Sequence, residues 1–84
     1  TEAPTERDLR HDACQAIAAQ AALTEMEALV LEFVSMGYTV ARIAQERGVT
    51  ENTVRTHTKG LYRKLDVHSK QEVIELVEAR MAEV

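Results

Sequence analysis

Gly48-Val49-Thr50-Glu51-Asn52-Thr53-Val54-Arg55-Thr56-His57-Thr58-Lys59 is a short turn feeding an amphipathic helix with two unlike faces. Val54, Thr58, Leu61 and Leu65 fall on one face, mostly apolar at helical spacing and suited to packing on a core. Asn52, Arg55, Thr56, Lys59 and Arg63 fall on the other, polar and cationic at the same spacing. A helix packed on one side and basic on the other, in a chain of net charge -4, has the character that insertion into a DNA major groove requires.

Working outward, Thr39 caps a short helix that runs through Arg47, with Val40, Ile43 and Ala44 facing inward and Gly48 ending it. Two short helices separated by Gly48-Val49-Thr50, with Thr50 as the second cap, make a helix-turn-helix. The second of them spans Glu51 to about Leu65. Gly60 sits inside it at a cost of about 1 kcal/mol relative to alanine. That glycine reads either as a close helix–helix or helix–phosphate approach or as a tolerated surface residue. After the connection Asp66-Val67-His68, Ser69-Lys70-Gln71-Glu72 is a capping box opening a last helix to about Ala82. Its stripe is Val73, Ile74, Val77 and Met81, with Leu76 partly off it, and one such stripe serves a core or a dimer equally well.

In the other direction, Thr24-Glu25-Met26-Glu27 is a further capping box, with Glu27 reaching back to Thr24. Leu29, Val30, Phe33 and Val34 follow at core spacing, with Met26 a turn earlier, and Gly37 terminates the helix with a positive φ. Before it the chain is Ala-rich, and Leu9, Ala13, Cys14, Ile17 and Ala21 recur near helical spacing, which predicts a helix over 9–22. Residues 1–8 are polar, contain Pro4 and lack periodicity, so they read as linker or disordered chain. The expected fold is all-α: a four-helix bundle containing a helix-turn-helix over 23–84, with an extra N-terminal Ala-rich helix.

With 84 residues, the chain makes one small domain with a modest core. Its 45% hydrophobic content is that of a globular chain, and with Phe33, Tyr38 and Tyr62 as the only aromatics the core is aliphatic. No apolar run approaches the roughly 18 residues of a membrane span, and there is no signal-peptide pattern. The single cysteine, Cys14, excludes an internal disulfide and a cysteine-cluster zinc site, and it reads as a small apolar residue. His11, His57 and His68 lack the close spacing of a metal site. Neither metal nor cofactor is expected.

The net charge is informative only when split. Residues 1–36 hold two basic against seven acidic side chains, -5; residues 37–70 hold seven against three, +4; residues 71–84 hold one against four, -3. A polyanion is attracted to the middle of the chain and repelled by its ends.

Leu23-Thr24-x-x-Glu27, Val30-Leu31, Gly37, Ile43-Ala44, Val49-Thr50, Thr53-Val54-Arg55-x-His57, Lys64-Leu65-x-Val67 and Ser69-Lys70 resemble the LuxR/GerE-type (NarL/FixJ-like) DNA-binding domain of transcriptional regulators. The resemblance covers about residues 23–78, and it combines many positions in order, which a lone helix-turn-helix pattern does not. It implies a four-helix bundle whose third helix enters the major groove and whose fourth commonly carries dimer contacts. By position, Arg55, Thr56 and Lys59 match base-facing residues, and Asn52 stands where small residues are common and adds a DNA contact. Thr50, Thr53 and Lys64 match positions near phosphates; Thr39, His57 and Arg63 join them as phosphate candidates. Val73, Ile74 and Val77 match the dimer helix.

The chain departs from the pattern at Met26, where Arg is frequent, at Leu29, where Glu is, and at Val40, where Asn is. Glu51 to Leu76 also resembles a subgroup in which this domain is the C-terminal tail of a multi-pass membrane protein. The start at Thr1 rather than Met fits an excised piece of a longer chain. The expectation is therefore a cytoplasmic domain whose parent carries a sensor or membrane domain, with double-stranded DNA as partner and a homodimer and RNA polymerase as further ones.

Rival readings remain. The promoter-recognising end of a sigma factor is disfavoured by the Thr53–His57 run and the Lys64–Val67 turn. A protein-interaction module would use the acidic flanks and the apolar last helix and leave the basic helix idle. An enzyme is the weakest reading: no nucleophile or carboxylate constellation accompanies His57, and the chain is too short for a deep pocket.

Overall fold

Five helices account for nearly all of the computed structural model, which describes residues 3–83: α1 (Glu6–Ala21), α2 (Glu25–Ser35), α3 (Val40–Arg47), α4 (Glu51–Leu65) and α5 (Lys70–Ala82). Each begins where the sequence places a hydroxyl. Thr5, Thr24, Thr39, Thr50 and Ser69 are the N-caps, and each side chain accepts from the backbone N–H three residues on. No strand occurs among the described residues.

One boundary differs from expectation. Helix α1 starts at Glu6 rather than Leu9, because Thr5 and Asp8 form a capping box that satisfies the first amides reciprocally. Part of the segment read as linker is thus the first turn of a helix, while Thr1 and Glu2 lie outside the described residues.

The helix ends are set by backbone chemistry. Gly37 (φ 89) and Gly48 (φ 66) take the left-handed conformation that closes α2 and α3. Around Gly37 the amide of Tyr38 returns to the carbonyl of Phe33 and that of Gly37 to Val34, which satisfies carbonyls left open at the end of α2. Ala22 (φ 54) and Asp66 (φ 55) close α1 and α4 in the same region without glycine.

A single aliphatic core unites all five helices. Leu31, Ile43, Leu61, Val30, Val54, Val73, Val77 and Cys14 are fully buried, and Ala13, Ile17, Val34 and Ala44 nearly so. Removing a Val, Leu or Ile side chain from water contributes about 1.5–3 kcal/mol, so this shared layer is the main source of cohesion. Helix α1 is part of it: Ala13, Cys14 and Ile17 belong to the same cluster, and α1 packs on both α2 and α5. In α2 the innermost line is Glu27, Val30, Leu31 and Val34, while Leu29, Phe33 and Met26 are half-buried, so the stripe is rotated toward Leu31 relative to expectation.

Val73 and Val77, expected at a dimer interface, are instead completely buried in this core, and only Ile74 of the three keeps partial exposure. The reason is that α5 packs on both α1 and α2. A side chain already sealed inside one protomer is not free to meet a second copy. Among the described residues, no helix is long and apolar enough to cross a membrane.

Candidate nucleic-acid interface

Helix α4 is held by its apolar face and leaves the other in water. Val54, Gly60 and Leu61 are buried, Thr58 and Leu65 half-buried, and Asn52, Arg55, Thr56, Lys59 and Arg63 exposed. The exposed residues recur at helical spacing and so share one side of the helix. At its leading end Thr50 accepts from the amide of Thr53 at 3.2 Å, and the two hydroxyls lie 2.9 Å apart. Thr53 and His57 are half-buried and flank the exposed row. Thr56 turns its hydroxyl onto the carbonyl of Asn52 at 3.0 Å, which leaves its methyl group as the outward apolar contact.

Arg55 is not alone on this face. Its guanidinium donates to Glu51 one turn earlier at 3.1 Å, with both side chains about half exposed. Lys59 and Arg63 have no carboxylate partner among the described residues, nor do Arg42 and Arg47 on α3. Thr39, at the start of α3, accepts from the amide of Arg42 at 3.1 Å.

Lys64 stands apart from the rest of the expected phosphate set. Its ammonium donates to Glu27 Oε1 at 2.7 Å and to the carbonyl of Ala22 at 3.3 Å, tying α4 to the start of α2 and the end of α1. Glu27 Oε1 also accepts from the Thr24 amide at 2.9 Å. The hydrogen bond from Lys64 and the Thr24 amide hold the Glu27 carboxyl below its ordinary range, against a smaller opposing push from burial. Gly60 completes the arrangement. A Cβ there would run into the Glu27 carboxylate, so Gly60 is a close-approach glycine rather than a surface one. Lys64 is thus paired within the bundle, in contrast to Lys59 and Arg63 on the same helix.

Sequence reasoning passes over two groups here. Glu51 carries no role in it, although its spacing to Arg55 is the ordinary i,i+4 relation. The other is the turn before α3, where the Arg42 guanidinium lies 4.0 Å from the centroid of the Tyr38 ring, and Tyr38 stacks on Phe33 with centroids 5.2 Å apart. Lys70, at the start of α5, donates to the carbonyl of Gly37 in that same turn at 3.0 Å.

Burial pushes the Cys14 thiol up to about 11, so it stays protonated and a poor nucleophile. Among the described residues, no group of three or more His, Cys, Asp or Glu side chains is placed to hold a metal ion.

Residues 21–77 match the family described as "Bacterial regulatory proteins, luxR family". The chain belongs to the luxR family of bacterial regulatory proteins. The matched luxR segment takes in the end of α1, all of α2, α3 and α4, and most of α5; the bulk of α1 precedes it. Two curated relatives carry the name HTH-type transcriptional regulator MalT, one from Klebsiella pneumoniae subsp. pneumoniae and one from Klebsiella pneumoniae strain 342. Each is 34% identical over 70 residues, 83% of this chain. The chain spans 8% of the length of those relatives. No solved structure matches it.

Proposed function

We propose that this luxR-family domain binds double-stranded DNA in a sequence-specific manner as part of a transcriptional regulator, with α4 in the major groove. The observation that carries the reading is the exposed face of α4, where Asn52, Arg55, Thr56, Lys59 and Arg63 share one side while Val54 and Leu61 fasten the other to the core. Asn52, Arg55, Thr56 and Lys59 are the base readers. Arg55 suits bidentate donation to guanine O6 and N7, and the Thr56 methyl suits thymine. Thr39, Thr50, Thr53, His57 and Arg63 contact phosphates, with the amides of the α4 N-terminus adding to them.

Lys64, Val73 and Val77 leave the functional set, because the first is paired with Glu27 and the other two are core. A dimer through α5 would rest on half-buried Ile74, exposed Leu76 and the polar residues around them, a small apolar surface, and we expect the isolated domain to be a monomer in sedimentation.

The test is selection from a pool of randomised short duplexes at low salt, read by sequencing the bound fraction. Enrichment of a discrete motif, with Arg55→Ala costing about 1–3 kcal/mol and relaxing one base pair, supports the reading. Binding without enrichment would reduce it to electrostatic attraction, and no binding at any salt would overturn it.

A further inference from the structure

The turn that joins α2 to α3 carries a device that the reading helix does not need. The Arg42 guanidinium carbon lies over the Tyr38 ring, 4.0 Å from its centroid, and Tyr38 is itself braced on Phe33 at 5.2 Å and 25°. Phe33 is half-buried at the end of α2, so the stack is anchored to the bundle at its base and exposed at its guanidinium. From the far side of the turn, Lys70 reaches the carbonyl of Gly37 at 3.0 Å. Two cations therefore converge on residues 37–42, and neither has a carboxylate partner among the described residues.

This differs from the arginines held in ion pairs. Arg10 is paired with Glu6, Arg55 with Glu51 and Arg80 with Glu83, whereas Arg42 is held by a ring. A ring fixes the plane of a guanidinium without neutralising it, so the side chain loses less freedom when it takes an anion and keeps its charge to do so. The position also fits. When the second helix of a helix-turn-helix lies in the major groove, the first crosses the sugar–phosphate backbone. Arg42 is in the first turn of that first helix, three residues after its cap Thr39.

We propose that Arg42, oriented by Tyr38 and accompanied by Lys70, forms a phosphate-gripping corner that clamps the DNA backbone beside the groove read by α4. The inference rests on the DNA-binding reading above. Arg42 sets affinity and register; it reads no base. Tyr38 is a positioning residue that acts through Arg42.

The test measures binding of the whole chain to a duplex enriched by selection and to the random pool, across a salt series. One phosphate contact changes log affinity by about 0.9 per log unit of salt, or roughly eightfold at about 0.1 M against 1 M. Arg42→Ala is expected to weaken both DNAs by about fivefold to tenfold at about 0.1 M salt and to lower the salt slope by about one. The selected motif stays the same. Arg42→Lys keeps the slope and loses a smaller factor. Tyr38→Leu keeps the slope and weakens binding through lost orientation. Melting curves check that each variant is folded.

Unchanged affinity and slope in folded Arg42→Ala, while Arg55→Ala still relaxes one base pair of the motif, overturns the corner and leaves the DNA-binding reading intact. A changed motif in Arg42→Ala makes the residue a base reader and overturns the phosphate assignment. Failure of the parent chain to bind DNA at any salt overturns both.

Discussion

The two ends of α4 carry ion pairs of similar length in opposite settings. At the leading end Arg55 meets Glu51 at 3.1 Å with both side chains about half exposed; at the trailing end Lys64 meets Glu27 at 2.7 Å with the Glu27 side chain 8% exposed. An exposed i,i+4 pair is worth about 0.3–0.5 kcal/mol, and water and a ligand compete for both partners. The trailing pair is wound into a capping box, a glycine contact and a carbonyl of the preceding helix. A helix fastened at one end and open at the other can present a fixed surface without giving that surface to the fold. Like charges on one helix therefore divide into fastened and open groups by what lies beneath them, not by their type.

The largest effect expected separates the two carboxylates. Glu27→Ala removes the cap of the Thr24 amide and leaves Lys64, whose side chain is 32% exposed, without its partner. Truncating one member of a fully buried pair costs about 3–5 kcal/mol, and the access of Lys64 to water brings our expectation to about 2–3 kcal/mol. Glu51→Ala is expected to stay within about 0.5 kcal/mol in urea unfolding and to strengthen binding to the selected motif more than to random DNA by freeing Arg55. Equal losses in the two variants would break the comparison. The pair also has a pH signature. The folded-state pKa of Glu27 is lowered, so its contribution is present above the ordinary carboxylate value and is lost as pH falls through the lowered one. The stability gap between the parent and Glu27→Gln should therefore narrow on acidification through that window.

A smaller effect sharpens the geometry of the trailing end. Gly60→Ala gains about 1 kcal/mol of helix propensity, but its new methyl displaces a carboxylate that the Thr24 amide and Lys64 both hold. We expect a net loss of about 1 kcal/mol in the parent. In the Glu27→Ala background the obstacle is gone, and the same change should stabilise by about 1 kcal/mol. A reversal of sign in that double-mutant cycle is the result to look for. Gly60→Ala behaving alike in both backgrounds would mean that the glycine does not serve the pair.

What the sequence makes legible is mostly local chemistry. Capping hydroxyls at Thr24, Thr39, Thr50 and Ser69, glycines at the ends of α2 and α3, and the alternation on α4 each act within a turn or two, and all of them stand in the fold as the residues imply. Contacts distant in sequence are not legible in this way. Lys64 looks like any other cation of its helix until α2 places Glu27 beneath it, 37 residues away. Val73 and Val77 form a stripe that suits a core or a partner equally, and the packing of α5 on α1 and α2 decides between them. The start of α1 is hidden for a different reason: Thr5 and Asp8 form a capping box with an aspartate in place of the expected glutamate, just after Pro4. On the candidate interface, exposure of Asn52, Arg55, Thr56 and Lys59 follows from helical phase, whereas the Arg42–Tyr38 stack depends on how a turn folds.

The smallest effect concerns the helix ends beside the fastener. Ala22 closes α1 at φ 54, and its carbonyl accepts from Lys64 at 3.3 Å, so the backbone there is held in a left-handed conformation that costs an alanine about 1–2 kcal/mol. Asp66 closes α4 at φ 55, but aspartate tolerates that region through its own short polar side chain. Ala22→Gly should relieve the strain and lose part of the gain to the greater freedom of glycine in the unfolded chain, for a net stabilisation of about 0.5 kcal/mol by thermal melting. Asp66→Gly should gain less. If Ala22→Gly destabilises instead, the methyl contributes more in packing than the backbone loses in strain. The junction of α1 with Lys64 would then be held by side-chain contact rather than by the carbonyl.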